Sequence, residues 1–109
     1  MNVHLDADIF DIIKTGIKDV EVRLNDEKRQ KLKVGDILIF YKRPNDDETI
    51  NKVIKKLVYF DNFYEVANSY EMKRIYLENC TKEDYIKLMN RFYTKEDEEK
   101  YGVVAIEFK

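Results

Sequence analysis

The chain has a single histidine, His4, so it cannot assemble a His-rich metal site. His4, Asp6 and Asp8 lie close in sequence but straddle the end of one element and the start of the next, and no metal is expected there. A lone cysteine, Cys80, has no disulfide partner within the chain and suits a reducing, cytoplasmic setting. One cysteine and one remote histidine do not make a nucleophile pair, and Cys80 reads as an ordinary packing residue. No apolar run of about eighteen residues occurs, so no membrane span is expected. The N-terminus lacks a basic segment followed by an apolar one, so no signal peptide is expected either. There is no Gly-rich phosphate loop, no Rossmann fingerprint, no Ser-His-Asp set, and hence no cofactor expectation. Repeats and low-complexity linkers are missing, which leaves residues 1–109 as one domain.

Glycine and proline are scarce, at three and one, so each marks a specific turn. Asp6 stands where a helix begins; Ile9, Phe10, Ile12 and Ile13 follow at helical spacing, and Gly16 ends the run. Val20, Val22 and Leu24 then alternate with Asp19, Glu21 and Arg23, a strand with one buried and one polar face. After a polar loop and a turn at Val34-Gly35-Asp36, DILIFYK reads as a strand buried on both faces. A turn at Pro44-Asn45-Asp46-Asp47 leads into the long strand ETINKVIKKLVYF, with a bulge expected at Val53-Ile54. Asp61 or Asn62 caps a short helix with Phe63, Val66, Ala67 and Tyr70 on one face. Thr81-Lys-Glu-Asp84 and Thr94-Lys-Glu-Asp97 both resemble capping boxes. VVAIEF is a closing apolar strand, expected to be central. Middle strands without crossover helices predict an α+β protein around a curled, mixed sheet.

Charge is unevenly spread. Residues 14–33 hold seven Lys or Arg and four Asp or Glu, a net of +3 in a chain of net −2, which leaves −5 elsewhere. A local basic patch on an acidic body draws phosphate to one place. Glu21 and Arg23 share a strand face, where the carboxylate can orient the guanidinium fork toward a phosphate or a base edge. By strand parity Lys18 falls with Val20, and it joins Glu21 only if the chain twists after Gly16. Tyr41 and Tyr101 fall near strand ends, where exposed bases could stack.

These residues carry a family resemblance. GIKDVEVR, residues 16–23, matches the GxKxxExR signature of ASCH domains, members of the PUA-like superfamily. RLNDEKRQKLKVGDILIF and FYTKEDEEKYGVVAIEF look like the corresponding parts of small stand-alone ASCH proteins of bacteria and archaea. The resemblance implies a PUA-like mixed β-barrel of about five to six strands flanked by helices. It also implies an RNA-binding cleft with Lys18, Glu21 and Arg23 in its floor and Asp26, Lys28 and Arg29 toward its rim. RNA or a modified nucleoside is the implied partner, and a monomer is expected. Some relatives remove the acetyl group of N4-acetylcytidine with a Lys, a Thr and a Glu. Lys18 matches the Lys, Glu21 stands in the place of the Thr, and the distant Glu falls within residues 64–78, with Glu65 and Glu71 as candidates. Another branch is ribonuclease, for which Lys18, Glu21 and Tyr101 supply acid and base groups. Binding module, nucleoside or RNA hydrolase, and a basic cleft for an acidic protein partner all stand open at the level of sequence.

Overall fold

The computed structural model describes residues 1–109. Five strands and five helices follow in the order β1 (Asn2–Leu5), α1 (Ala7–Lys14), β2 (Val20–Leu24), β3 (Ile37–Lys42), β4 (Thr49–Phe60), α2 (Phe63–Ser69), α3 (Met72–Ile75), α4 (Lys82–Phe92), α5 (Lys95–Tyr101) and β5 (Val103–Phe108), with one 3₁₀ turn at Arg29–Lys31. The strands form one mixed sheet, ordered β1-β3-β4-β5-β2. Only β1 and β3 run parallel; the other pairs are antiparallel. The sheet curls into a half-barrel whose two edges are β1 and β2, so the α+β expectation holds.

Alternation within β5 explains why that strand is apolar throughout. Val104, Ile106 and Phe108 point into a cluster with Val3, Phe10, Ile13, Leu38, Phe40 and Ile54, the inside of the half-barrel under α1. Val103 and Ala105 point the other way, into a second cluster with Val20, Phe63, Val66, Ala67, Ile75 and Tyr85 beneath α2, α3 and α4. A period of two with both faces covered gives a continuous apolar run. β5 lies inside the sheet, but the middle position belongs to the twelve-residue β4. β4 bends where its register with β5 shifts between Ile54 and Lys56, a residue beyond the expected break.

β3 departs from expectation. Leu38 and Phe40 are fully buried against α1, whereas Ile37 on the other face is largely exposed. The strand has one core face, because α1 covers one side only.

Helix starts follow the polar side chains. Asn62 Oδ1 accepts from the Glu65 amide, and Thr81 Oγ1 from the Asp84 amide. Thr94 and Asp97 form a reciprocal capping box. Asp6 takes the N-cap position of α1 without a capping hydrogen bond from its own side chain. Gly16 and Gly102 close α1 and α5 at positive φ.

Gly102 sits at φ 69°, ψ −171°, a region essentially restricted to glycine, and a Cβ there would lie 2.9 Å from the Phe60 carbonyl oxygen. Gly35 also has positive φ, but open space surrounds its Cα. Gly102→Ala is therefore expected to cost about 2–4 kcal/mol and Gly35→Ala about 1 kcal/mol, read as urea midpoints at unchanged slope.

Candidate functional site

The register of β2 settles where its charged face points. Glu21 lies opposite Ile106 and Arg23 opposite Val104, so both share the inner face of the half-barrel with those residues. The face expected to be solvated is thus turned inward: Glu21 is 5% exposed. Lys18, 2% exposed, precedes the strand and is not bound by its parity. The turn after Gly16 brings its Nζ to 3.1 Å from Glu21 Oε1.

Three charges form one chain. Lys18 Nζ donates to the Val20 carbonyl and to the Ile75 carbonyl at 3.1 Å, and it is ion-paired with Glu21 Oε1. Glu21 Oε2 accepts from Arg23 Nε at 2.9 Å, and Arg23 Nη2 lies 2.8 Å from the same oxygen as the ion pair. Burial alone would raise the Glu21 carboxyl, but Lys18 and Arg23 outweigh it and hold it below the usual carboxylate range. Burial lowers Lys18 from the ordinary lysine value, against the opposing pull of Glu21. Burial would likewise lower the Arg23 guanidinium, but Glu21 overrides it and raises the group.

The triad floors a cleft of about 520 Å³. His4 and Leu5 of β1 line it on one side, Glu21, Val22 and Arg23 of β2 on the other, and Tyr85, Met89, Phe92 and Tyr93 from α4 and its end form a wall. The cleft is the open seam between the two edge strands of the half-barrel. Arg43 adds a third cation beside Lys18 and Arg23, and Asp6 a second carboxylate beside Glu21. Phe92 is 69% exposed at the mouth.

Other sequence candidates lie elsewhere. Asp26 and Arg29 pair with each other at 3.1 Å in the loop after β2, and neither they nor the exposed Lys28 line the cleft. Tyr41, the partner of His4 on the neighbouring strand β3, stacks on it with ring centroids 4.8 Å apart and does not line the cleft. Tyr101 lines a different groove and donates its hydroxyl to Glu27 at 3.3 Å. Neither candidate for a distant catalytic carboxylate lines the cleft: Glu65 accepts from the Asp61 amide, and Glu71 stands at the start of α3 without a side-chain cap bond and pairs with Lys73. Thr15 donates to the Ile12 carbonyl, outside the cleft. Burial raises the Cys80 thiol, away from thiolate chemistry. No three His, Cys, Asp or Glu side chains gather as metal ligands, and His4 pairs instead with Asp46 at 3.0 Å. No helix is long and apolar enough to cross a membrane.

Sequence reasoning missed Arg43 and the α4 wall as site residues. Tyr85, Met89 and Phe92 were legible as an apolar helix stripe, but that stripe serves core and cleft together.

A mixed half-barrel with a charged seam and flanking helices is a PUA-like domain. A family model for the ASCH domain matches residues 3–109, and the chain belongs to that family. It is similar to the crystal structure of hypothetical protein PH0355, at 32% identity and a TM-score of 0.84, covering 99% of this chain and 95% of that one. It is also similar to the solution structure of protein PF0455 from Pyrococcus furiosus, at 28% identity and a TM-score of 0.73, covering 100% and 96%. Among curated proteins none matches.

Glu21→Gln leaves buried Lys18 and half-buried Arg23 without their counter-charge. It is expected to destabilise the fold by about 3–5 kcal/mol at pH 7. The carboxyl's folded pKa lies below its unfolded one, so its contribution is present above the unfolded value, near ~4.3, and is lost as pH falls through the folded value. The gap between wild type and Glu21→Gln in urea titrations should therefore close in acid below about pH 4.

Proposed function

We propose that the seam cleft binds a nucleobase, either of single-stranded RNA or of a modified nucleoside, and that the chain acts as a binding module. The observation that carries this reading is the state of Arg23. Glu21 holds its Nε and Nη2, which fixes the guanidinium plane, while the side chain stays 25% exposed toward the cleft. A fixed fork with N–H groups left over is suited to the acceptor edge of a base or to a phosphate. Tyr76, Tyr93 and the exposed Phe92 supply apolar and aromatic surface along the cleft, and Arg43 a further cation. The volume falls in the range of small-ligand pockets.

Lys18 supports the triad rather than chemistry. A general base needs a free lone pair and a path to its substrate, whereas Lys18 donates to two backbone carbonyls and is ion-paired with Glu21. Lys18 and Glu21 thus position Arg23, and the hydrolase alternatives draw no support from their contacts.

The test is binding of a labelled single-stranded RNA and of N4-acetylcytidine, with nucleosides followed by chromatography in parallel. Arg23→Ala is expected to weaken affinity about tenfold to a hundredfold, and Phe92→Ala about fivefold to a hundredfold by loss of stacking. Lys28→Ala should change RNA affinity little beyond a shallower salt slope. Wild-type affinity in Arg23→Ala would sink the proposal, and accumulation of cytidine would replace it with the amidohydrolase reading.

A further inference from the structure

A second and larger groove, of about 910 Å³, lies on the other side of α4. α4 presents Tyr85, Met89 and Phe92 to the seam cleft and Ile86 and Asn90 to this groove. Three tyrosines line the groove. Tyr59 of β4 is 59% exposed and Tyr64 of α2 is 63% exposed, and Tyr101 closes α5. Aromatic rings left open at one place are seldom neutral for solubility, and in a groove they mark a contact surface.

The polar lining selects the charge of the occupant. Asn25 Oδ1 is buried, and no group of the protein donates to it. Glu98 caps α2 through Oε1, which accepts from the Phe63 amide at 3.2 Å, and its second oxygen stays free of protein partners. Asp61, Glu98 and Glu99 face Lys95 and Lys100, so the lining carries a net −1. The whole of α5, KEDEEKY, carries −2. Acceptors and negative charge beside aromatic rings repel a phosphate backbone and attract a cation that offers N–H groups. One ring of the groove already holds such a contact: Lys100 Nζ lies 5.0 Å above the Tyr101 ring.

We infer that this groove is a binding site for a small organic cation, a polyamine or an alkylguanidine, held by Tyr59 and Tyr64 with Asn25 and Glu98 as acceptors. It is carried by residues separate from those of the seam cleft and stands whether or not that cleft takes a nucleobase.

The test is an NMR titration of the full chain with agmatine and with spermidine at constant ionic strength. 1,5-Pentanediol serves as the uncharged control, and an N-acetylated, C-amidated Gly-Arg-Gly peptide as the macromolecular arm. Saturable shifts of the Asn25 side-chain amide and of Tyr59 and Tyr64 are expected with both cations and not with the diol. Tyr64→Ala changes an exposed side chain that makes no hydrogen bond, so it should fold with an unchanged melting temperature and bind at least fivefold more weakly. Glu98→Gln keeps an oxygen for the Phe63 amide and should show a similar loss. Shifts that do not saturate, that sodium or magnesium ions reproduce, or that persist unchanged in both variants overturn the inference. Tight binding of the peptide without binding of the free amines also overturns it, in favour of a protein-docking groove.

Discussion

A carboxylate shared between two cations inside the half-barrel governs the geometry around it. Stripping water from Glu21, Lys18 and Arg23 is costly, and the attraction among them offsets that cost only while all three are held in contact. The contacts reach past the triad. The Lys18 ammonium also holds the Ile75 carbonyl at the end of α3. One residue on, the Asp19 amide donates to the Arg74 carbonyl, and the Arg74 guanidinium returns two hydrogen bonds to the Asp19 carboxylate. Arg74 further approaches Glu107 of β5, which accepts from the Tyr70 hydroxyl. A four-residue helix such as α3 has little stability of its own. It is fixed because the segment entering β2 grips it at consecutive residues.

The same triad explains why the barrel stays open. β1 and β2 stand at the two ends of the sheet order, and the inner face of β2 carries charge where the inner faces of the other strands carry Val3, Phe40, Ile54 and Ile106. Closing the seam would bury Arg23 as fully as Glu21 and strip the water that still reaches it. The opening is lined instead by aromatic side chains of α4, so apolar surface and a charged fork meet in one slot. The basic residues that set residues 14–33 apart thus divide into two groups. Lys18 and Arg23 build the interior of the slot, while Lys14, Lys28, Lys31 and Lys33 are exposed and Arg29 pairs with Asp26 away from it.

Much of this order was legible in the sequence. The two-residue period of β2, the long strand β4, the Asn62 and Thr81 caps and the Thr94–Asp97 box are local patterns with local causes, and the structure has each of them. What escaped depends on long-range packing. Alternation says that Glu21 and Arg23 share a face, but pairing with β5 decides which way that face looks. Parity separated Lys18 from Glu21 because it was applied to a residue that lies before the strand. β3 was read as buried on both sides because its apolar run is continuous, yet a helix covers one side only. Tyr101 fell near a strand end as expected, but α5 carries it to the groove beyond α4.

The place of β5 has a kinetic consequence. β2 has no sheet partner but β5, and every pair it makes joins residues at least 79 positions apart. β5 also supplies residues to both apolar clusters. Neither cluster is complete, and the carboxylate of β2 has no wall behind it, until a distant segment docks between β4 and β2. Closing such long loops comes late and slows the search for the native state. A chain trimmed before Val103 would leave β2 without a partner and both clusters incomplete, so the domain should unfold as one cooperative unit.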